Sequence, residues 1–170
     1  MDPRYPIGKF TIPGAITNEL RASACAEIAD LPRELRIAAS ALSAKQLETP
    51  YRDGGWTARQ VIHHLADSHM NSYIRFRLAL TEEDPIIKPY DEARWAELSD
   101  ARSAPIEVSL QLIDGLHDRW SRLIHSMTPA DFARTFRHPE LGERTLDATV
   151  QLYAWHGRHH LGHLAIVAGL

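Results

Sequence analysis

Four of the chain's ten histidines lie within eight residues near its carboxyl end: His156, His159, His160 and His163. If this segment is helical, His156 and His160 are four residues apart and lie on the same face. Two imidazoles held in this way can bind one ion, and HxxxH is a metal-ligand spacing. His159 and His163 form a second pair with the same spacing, and we expect only one of the two pairs to face the interior.

The pair formed by His156 and His160 offers ligands but no general base. Gly157 stands where an HExxH metalloprotease carries its catalytic glutamate. A third ligand must therefore come from elsewhere in the chain. Without an ion, two buried histidines would instead need two hydrogen-bond partners, and the spacing alone leaves both interpretations open.

The segment around residue 64 offers the third ligand and two further candidates. His64 lies at the edge of an apolar stripe on a predicted helix, and Asp67 follows on the same side of that helix. Asp67 is a candidate catalytic residue, which would fix the tautomer of a ligand imidazole or act as a base; a solvated carboxylate is the alternative. Arg52, in the loop before this helix, would bind an anionic substrate group near the site's mouth, or form a loop salt bridge.

Four long helices are predicted from apolar periodicity and capping residues. The first follows a cap at Thr17 or Asn18, with a kink or a fresh start expected around Pro32. The others span 58 to about 81, about 105 to 126, and 146 to about 168. Because strand signals are almost absent, these helices predict an all-α four-helix bundle.

The connections between the helices complete one predicted domain, residues 1–170. Residues 1–16 are rich in proline and glycine and read as an N-terminal arm. Residues 82–104 form a long crossover with a short helix from Asp91 to Leu98, and residues 137–142 form a loop or small hairpin. Neither a repeat nor a low-complexity segment divides the chain.

The remaining histidines are not expected to bind the ion, and His117 and His125 follow no ligand pattern. His63 faces away from His64 and is expected at the surface or behind the ligands, as are His159 and His163. We expect His69 to face solvent or an interface, and His117 and His125 to lie at the surface.

Composition excludes several classes of function. The 170 residues are 44% apolar and 24% charged, with a formal net charge of −3, which argues against nucleic acid or an anionic membrane as a partner. A single cysteine, Cys25, rules out an intramolecular disulfide and a cysteine-based metal cluster. No secretory signal or membrane-spanning apolar run is visible, so a cytoplasmic location is expected.

Three motifs resemble one known family: TPYRDGGWTARQVIHHLADSHMNSYIRFRLALTEEDP at 49–85, PYDEARWAEL at 89–98 and LYAWHGRHHLGHLAIV at 152–167. Together they resemble the YfiT branch of the DinB/YfiT-like superfamily over most of the chain. The resemblance implies a four-helix bundle with up-down-down-up topology and a divalent metal between helices. It also implies three histidine ligands, at positions that correspond here to His64, His156 and His160.

The resemblance further implies a metal-dependent hydrolase that acts on a small molecule. Relatives in the superfamily act with low-molecular-weight thiols such as bacillithiol and mycothiol, and members of this branch are often dimers, so a homodimer is expected.

Two chemistries follow from a divalent ion held by three imidazoles with open positions. Zinc is favoured and nickel is possible. If the ion activates water, the protein is a hydrolase; if it activates a thiol, the protein is an S-transferase that conjugates the thiol to electrophiles. A non-catalytic metal-binding module is the third alternative.

Overall fold

The computed structural model describes residues 2–170 and contains four long helices, four short ones and one hairpin in that part of the chain. In chain order the elements are α1 (Asn18–Ser40), α2 (Ala44–Leu47), α3 (Ala58–Thr81), α4 (Glu92–Trp95), α5 (Ser99–Ser103), α6 (Ile106–His125), α7 (Pro129–Phe132), β1 (Thr135–His138), β2 (Gly142–Thr145) and α8 (Leu146–Ala168). The helices α1, α3, α6 and α8 form the bundle, as the sequence predicts.

Side-chain caps begin three of the four long helices, α1, α3 and α8, where the sequence places them. Thr17 accepts a hydrogen bond from the backbone of α1, and Thr145 does the same for α8. Thr57 and Gln60 form a reciprocal capping box at the start of α3. These local hydrogen bonds explain why the helix starts are readable from sequence.

Of the kink or fresh start expected near Pro32, the fresh start is not found, because one helix continues through this residue. Proline has no N–H to donate to the carbonyl of Ile28, four residues earlier. That carbonyl instead accepts a hydrogen bond from His117 Nδ1 at 2.6 Å. A side chain of α6 therefore satisfies the acceptor that the proline leaves open.

Contacts of α1 define its direction relative to two neighbours. Arg21 pairs with Asp147 and Glu27 pairs with Arg158, so α1 and α8 run parallel. Arg36 pairs with Asp114, whereas the earlier Ile28 contacts the later His117, so α1 and α6 run antiparallel.

Contacts of α3 complete the topology. His63 bonds to Ser109 and Phe76 packs on Trp120, so α3 and α6 run parallel. Tyr153, early in α8, bonds to Ser68, whereas the later His160 packs on the earlier His64, so α3 and α8 run antiparallel. The bundle is therefore up-down-down-up.

A parallel α3 and α6 require the chain between them to return along the bundle. Residues 82–105 make this return and carry two short helices, α4 and α5, where the sequence predicts one. Gln60 near the start of α3 donates to the Ala96 carbonyl at 2.7 Å and ties the crossover to that helix. The predicted loop or hairpin is the antiparallel β1–β2 pair.

The N-terminal arm lies against α8. Phe10 packs on Trp155, with ring centroids 5.7 Å apart. Pro6 meets Gly162 so closely that a Cβ on this glycine would lie 2.8 Å from Pro6 Cγ. None of the helices in residues 2–170 combines the length and apolarity needed to cross a membrane.

A layer of histidines separates the two hydrophobic clusters of the core. One cluster contains Phe76 and Trp120, and the other contains Leu65, Ile113 and Leu164. His69 of α3, His117 of α6, and His159 and His160 of α8 lie between these clusters along their helices, whereas His63, His64 and His163 lie among the residues of the second cluster. Buried polar nitrogens need bonding partners inside the bundle. This level of the molecule is therefore the candidate for a functional site.

Candidate metal centre

Three imidazoles from two helices converge at this level. One ring nitrogen each of His64, His156 and His160 lies within 4.8 Å of the others. His64 Nε2 is 3.3 Å from His156 Nε2. The ring centroid of His160 lies 4.8 Å from that of His64 and 4.5 Å from that of His156.

This donor set fits a divalent ion. Zinc–nitrogen bonds of 2.0–2.1 Å in tetrahedral geometry place two ligand nitrogens ~3.3 Å apart, which is the separation of the Nε2 atoms of His64 and His156. Neutral imidazoles suit zinc and nickel. Three such ligands leave a coordination position for a small molecule, as in catalytic sites.

Burial keeps the three imidazoles neutral. Desolvation, together with smaller charge repulsion from His159 and His163, lowers the pKa of His64 to about 4. Desolvation also holds the pKa values of His156 and His160 well below the ordinary 6.5. Neutral imidazoles keep the lone pairs that a metal ion needs near pH 7.

A cavity of about 490 Å³ opens onto the three histidines. Its volume lies within the range of small-molecule sites. Aromatic rings form much of its wall, from the loop before α3, the crossover and α8: Trp56, Tyr90, Tyr153 and Trp155. The sequence favours Trp56 and Trp155 as core residues, yet both line this cavity.

Charged residues line the cavity on its solvent side. Glu92 and Glu140 are exposed, whereas Arg75 of α3 is half-buried in the wall. The guanidinium of Arg75 makes neither a hydrogen bond nor an ion pair with any residue in 2–170. Its guanidinium is therefore available to a ligand.

The structure does not bring Asp67 to the histidines. Its carboxylate bonds to no histidine of the described chain and does not line the cavity. Burial and the nearby Asp100 of α5 raise the pKa of Asp67 to about 6. Asp67 therefore belongs to the side of α3 that the crossover covers.

Arg52 also lies outside the cavity. Its guanidinium donates to the Asp53 carbonyl at 2.7 Å and lies over the ring of Tyr51. Tyr51 in turn stacks on His163, with centroids 3.9 Å apart. Arg52 therefore makes its contacts within its own loop. The arginine that lines the cavity is Arg75, which sequence spacing did not single out.

His69 and His117 are buried, contrary to the expectation that both face solvent or an interface. They are 0% and 1% exposed, and His69 Nδ1 is 3.0 Å from His117 Nε2. The buried stripe of α6 is Leu110, Ile113, His117, Trp120 and Ile124. Its spacing of three and four residues is compatible with a core position for His117, but a stripe through Leu112 and Leu116 has the same spacing.

His159 and His163 are buried as well, so both histidine pairs of α8 face inward. The sequence places them at the surface or behind the ligands, because Tyr5 and Tyr51, which contact His159 and His163, are distant in sequence. Tyr51 covers His163 and Trp155 stacks on His159. His163 Nδ1 lies 3.2 Å from His160 Nδ1.

His159, His160 and His163 form a second group with nitrogens within 4.8 Å of one another. This group shares His160 with the first, and His163 does not line the cavity. The group containing His64 is therefore the one with access for a small molecule. His63 is buried and uses both ring nitrogens, on Ser109 and on the Ala104 carbonyl.

A sequence profile described as the DinB superfamily matches residues 27–164. The chain belongs to the DinB superfamily. The match includes α3 and α6 in full, most of α1 and α8, and all the histidines named above, so the resemblance seen in the sequence motifs is confirmed.

Two bacterial DinB relatives are similar to nearly the whole chain. A Bacillus mycoides protein named "putative metal-dependent hydrolase" is 58% identical over 163 residues, covering 96% of this chain and 94% of its own length. A protein of the same name from Oceanobacillus iheyensis is 55% identical over 164 residues, covering 96% and 95%.

A solved DinB-type structure has the same fold. YfiT from Bacillus subtilis, described as "a probable metal-dependent hydrolase with an unusual four-helix bundle topology", superposes with a TM-score of 0.96 at 45% identity. The match covers 99% of this chain and 97% of the other. The predicted four-helix bundle is confirmed.

Proposed function

We propose that this DinB protein is a metal-dependent hydrolase in which His64, His156 and His160 hold one divalent ion, with zinc favoured and nickel as the alternative. The observation that carries the proposal is the convergence of these three nitrogens beside a cavity of about 490 Å³. The names of the relatives from Bacillus mycoides and Oceanobacillus iheyensis support the same activity class.

A divalent ion in such a site acts as a Lewis acid and lowers the pKa of the nucleophile that binds it. The residues of the chain contribute the neutral ligands and the walls of the cavity. Burial keeps the histidine lone pairs free of protons. The rings of Trp56 and Trp155 give the cavity walls of low polarity, where electrostatic interactions with a substrate are stronger than in water.

The substrate class follows from the cavity. Its volume suits a small molecule, and Arg75 offers a guanidinium without an ion-pair partner at a wall that also carries Glu92 and Glu140. A guanidinium binds carboxylates and phosphates with paired hydrogen bonds. We therefore propose a small substrate with an anionic group, bound by Arg75 in the role that the sequence suggests for Arg52.

A second candidate is transfer of a low-molecular-weight thiol to an electrophile. One observation favours it: in residues 2–170 no carboxylate bonds to His64, His156 or His160. Water-dependent hydrolysis benefits from a general base near the metal, whereas a coordinated thiol is deprotonated outright. The thiol reaction therefore does not need a general base among the surrounding side chains.

Elemental analysis tests the metal site. Untagged protein should contain about one equivalent of zinc or nickel, and His64→Ala and His160→Ala should each lose most of it. His125→Ala is the matched control, because His125 is exposed on α6 and bonds only to the backbone of its own helix. Equal metal content in all four proteins would overturn the proposal.

Two substrate panels separate the chemistries in the metal-loaded protein. Turnover of anionic esters or amides, lost in His64→Ala, is expected for the hydrolase. Thiol consumption with monobromobimane or a chloronitrobenzene, lost in the same variant, would replace hydrolysis by S-transfer. If neither panel shows activity while the metal is still bound, a non-catalytic metal-binding module is favoured and both enzymatic candidates are overturned.

A further inference from the structure

A chain of three imidazoles links the candidate metal centre to the backbone of α1. His156 Nδ1 lies 3.1 Å from His69 Nε2, and His69 Nδ1 lies 3.0 Å from His117 Nε2. His117 Nδ1 lies 2.6 Å from the carbonyl oxygen of Ile28. Both ring nitrogens of His69 and of His117 are thus occupied inside the bundle.

The carbonyl at the end of this chain is available because of a proline. In a regular helix the Ile28 carbonyl would accept from the N–H of residue 32, but Pro32 has none. An oxygen of this kind can only accept a hydrogen bond. The direction of the first link is therefore determined: His117 Nδ1 carries the hydrogen.

The remaining hydrogens follow one by one, since a neutral imidazole carries one hydrogen and accepts at its other nitrogen. His117 Nε2 must accept, so His69 Nδ1 donates. His69 Nε2 must then accept, so His156 Nδ1 donates. This leaves a lone pair on His156 Nε2, the atom that faces His64 Nε2 at 3.3 Å.

We propose that His69 and His117 are positioning residues that hold His156 in its Nδ1–H tautomer, so that Nε2 is ready to bind a metal ion before the ion arrives. Without this chain, the hydrogen could occupy either ring nitrogen. Partners behind ligand histidines act in this way in other metal sites, commonly as carboxylates or carbonyls. Here a histidine pair transmits the effect of a distant carbonyl.

The other ligand from α8 has a separate histidine neighbour, since His160 Nδ1 lies 3.2 Å from His163 Nδ1. The chain from Ile28 through His117 and His69 ends at His156 and does not include His160.

The tautomers can be measured in metal-free protein. Ring ¹⁵N shifts of labelled protein in the presence of a chelator should show Nδ1–H for His156, His69 and His117 alike. A hydrogen on Nε2 of His156 in this spectrum would overturn the inference. The inference rests on the proposed metal site, but this spectrum reports the tautomer whether or not a metal binds, while metal content reports the proposed function, so the two failures are distinguishable.

Two substitutions at one position separate positioning from packing. His117→Phe keeps a ring but removes both links, and we expect mixed tautomers at His156 and zinc affinity lower by roughly 10- to 100-fold. In His117→Gln one amide can donate to the Ile28 carbonyl and accept from His69, so the tautomer and most of the affinity should return.

The control for these variants is His125→Phe, on the same helix but exposed, which should match the parent. A folded His117→Phe with the parent's tautomer and zinc affinity would overturn the inference. A folded His117→Gln variant in which His156 shows the mixed tautomers expected for His117→Phe would also overturn the inference. If His117→Phe does not fold, the parent spectrum and His117→Gln decide the question.

Discussion

The Nε2 atoms of His64 and His156 lie 3.3 Å apart, although 92 residues separate them in sequence. The two atoms come from antiparallel helices, so a metal ion bound between them would join α3 to α8. An ion that binds only the folded state stabilises it by mass action, by about 2.7 kcal/mol at a free concentration of 100 times Kd.

We therefore expect zinc to raise the thermal unfolding midpoint of metal-free protein, and His64→Ala to lose this response. Thermal scans at increasing free zinc, buffered by a chelator, provide the measurement. The exposed-site variant His125→Ala should respond as the parent does. The same zinc-dependent rise in His64→Ala would show that the ion binds elsewhere.

The proposed binding of the substrate by Arg75 predicts a specific kinetic change. Arg75→Ala removes the cation at the cavity wall, so KM for an anionic substrate should rise by at least about tenfold, the equivalent of one charge-assisted hydrogen bond. The turnover number should change little, because the interaction is present in both the ground state and the transition state.

Arg77→Ala is the matched control for this experiment. Arg77 is exposed on the same helix and bonds to the Tyr73 hydroxyl, away from the cavity. A neutral analogue of the substrate provides a second comparison, since its KM should be unaffected by Arg75→Ala. Equal losses for the charged and the neutral substrate would argue against an anion-binding role.

Burial of His117 predicts how stability depends on pH. Desolvation lowers the pKa of His117 to about 4, from the ordinary 6.5. Between these values the unfolded chain binds a proton that the folded protein does not, so stability falls as pH falls. This one group contributes a slope of about 1.4 kcal/mol per pH unit in that window.

His117→Gln should therefore flatten the dependence of unfolding free energy on pH by about this slope between pH 6.5 and 4. Denaturant titrations of metal-free protein at several pH values measure it. His125→Gln, at an exposed position, should leave the slope unchanged. A parent-like slope in His117→Gln would mean that His117 titrates in the folded protein as it does in the unfolded chain.

Close helix packing makes Gly157 intolerant of substitution. A Cβ at this position would lie 3.0 Å from both Cδ atoms of Leu31, across the α1–α8 contact. We expect Gly157→Ala to lower the unfolding free energy by about 1–3 kcal/mol through overpacking. Urea unfolding followed by circular dichroism measures the change.

Gly115→Ala is the corresponding control, because Gly115 is also helical but a Cβ there meets nothing within 4 Å. Alanine's higher helix propensity should stabilise that variant by about 1 kcal/mol. If both substitutions stabilise the protein, Leu31 can move aside, and the close approach of α1 and α8 does not depend on Gly157.

Much of this protein is determined by local sequence. Side chains such as Thr57 and Gln60 bond to backbone atoms a few residues away, so the start of α3 is readable without any tertiary contact. The HxxxH spacing likewise places His156 and His160 on one helical face. The homodimer and the cytoplasmic location suggested by sequence stay predictions.

Tertiary structure decided which polar residues meet. The periodicity of α6 fits either a stripe through Leu112 and Leu116 or one through Ile113 and His117, and only packing against α1 and α3 selects the second. Arg75 lines the cavity and Arg52 does not, because residues of the crossover and the hairpin form part of the cavity wall. The hydrogen-bond chain requires Ile28 and His117 to meet from helices far apart in sequence, and only the packed bundle brings them together.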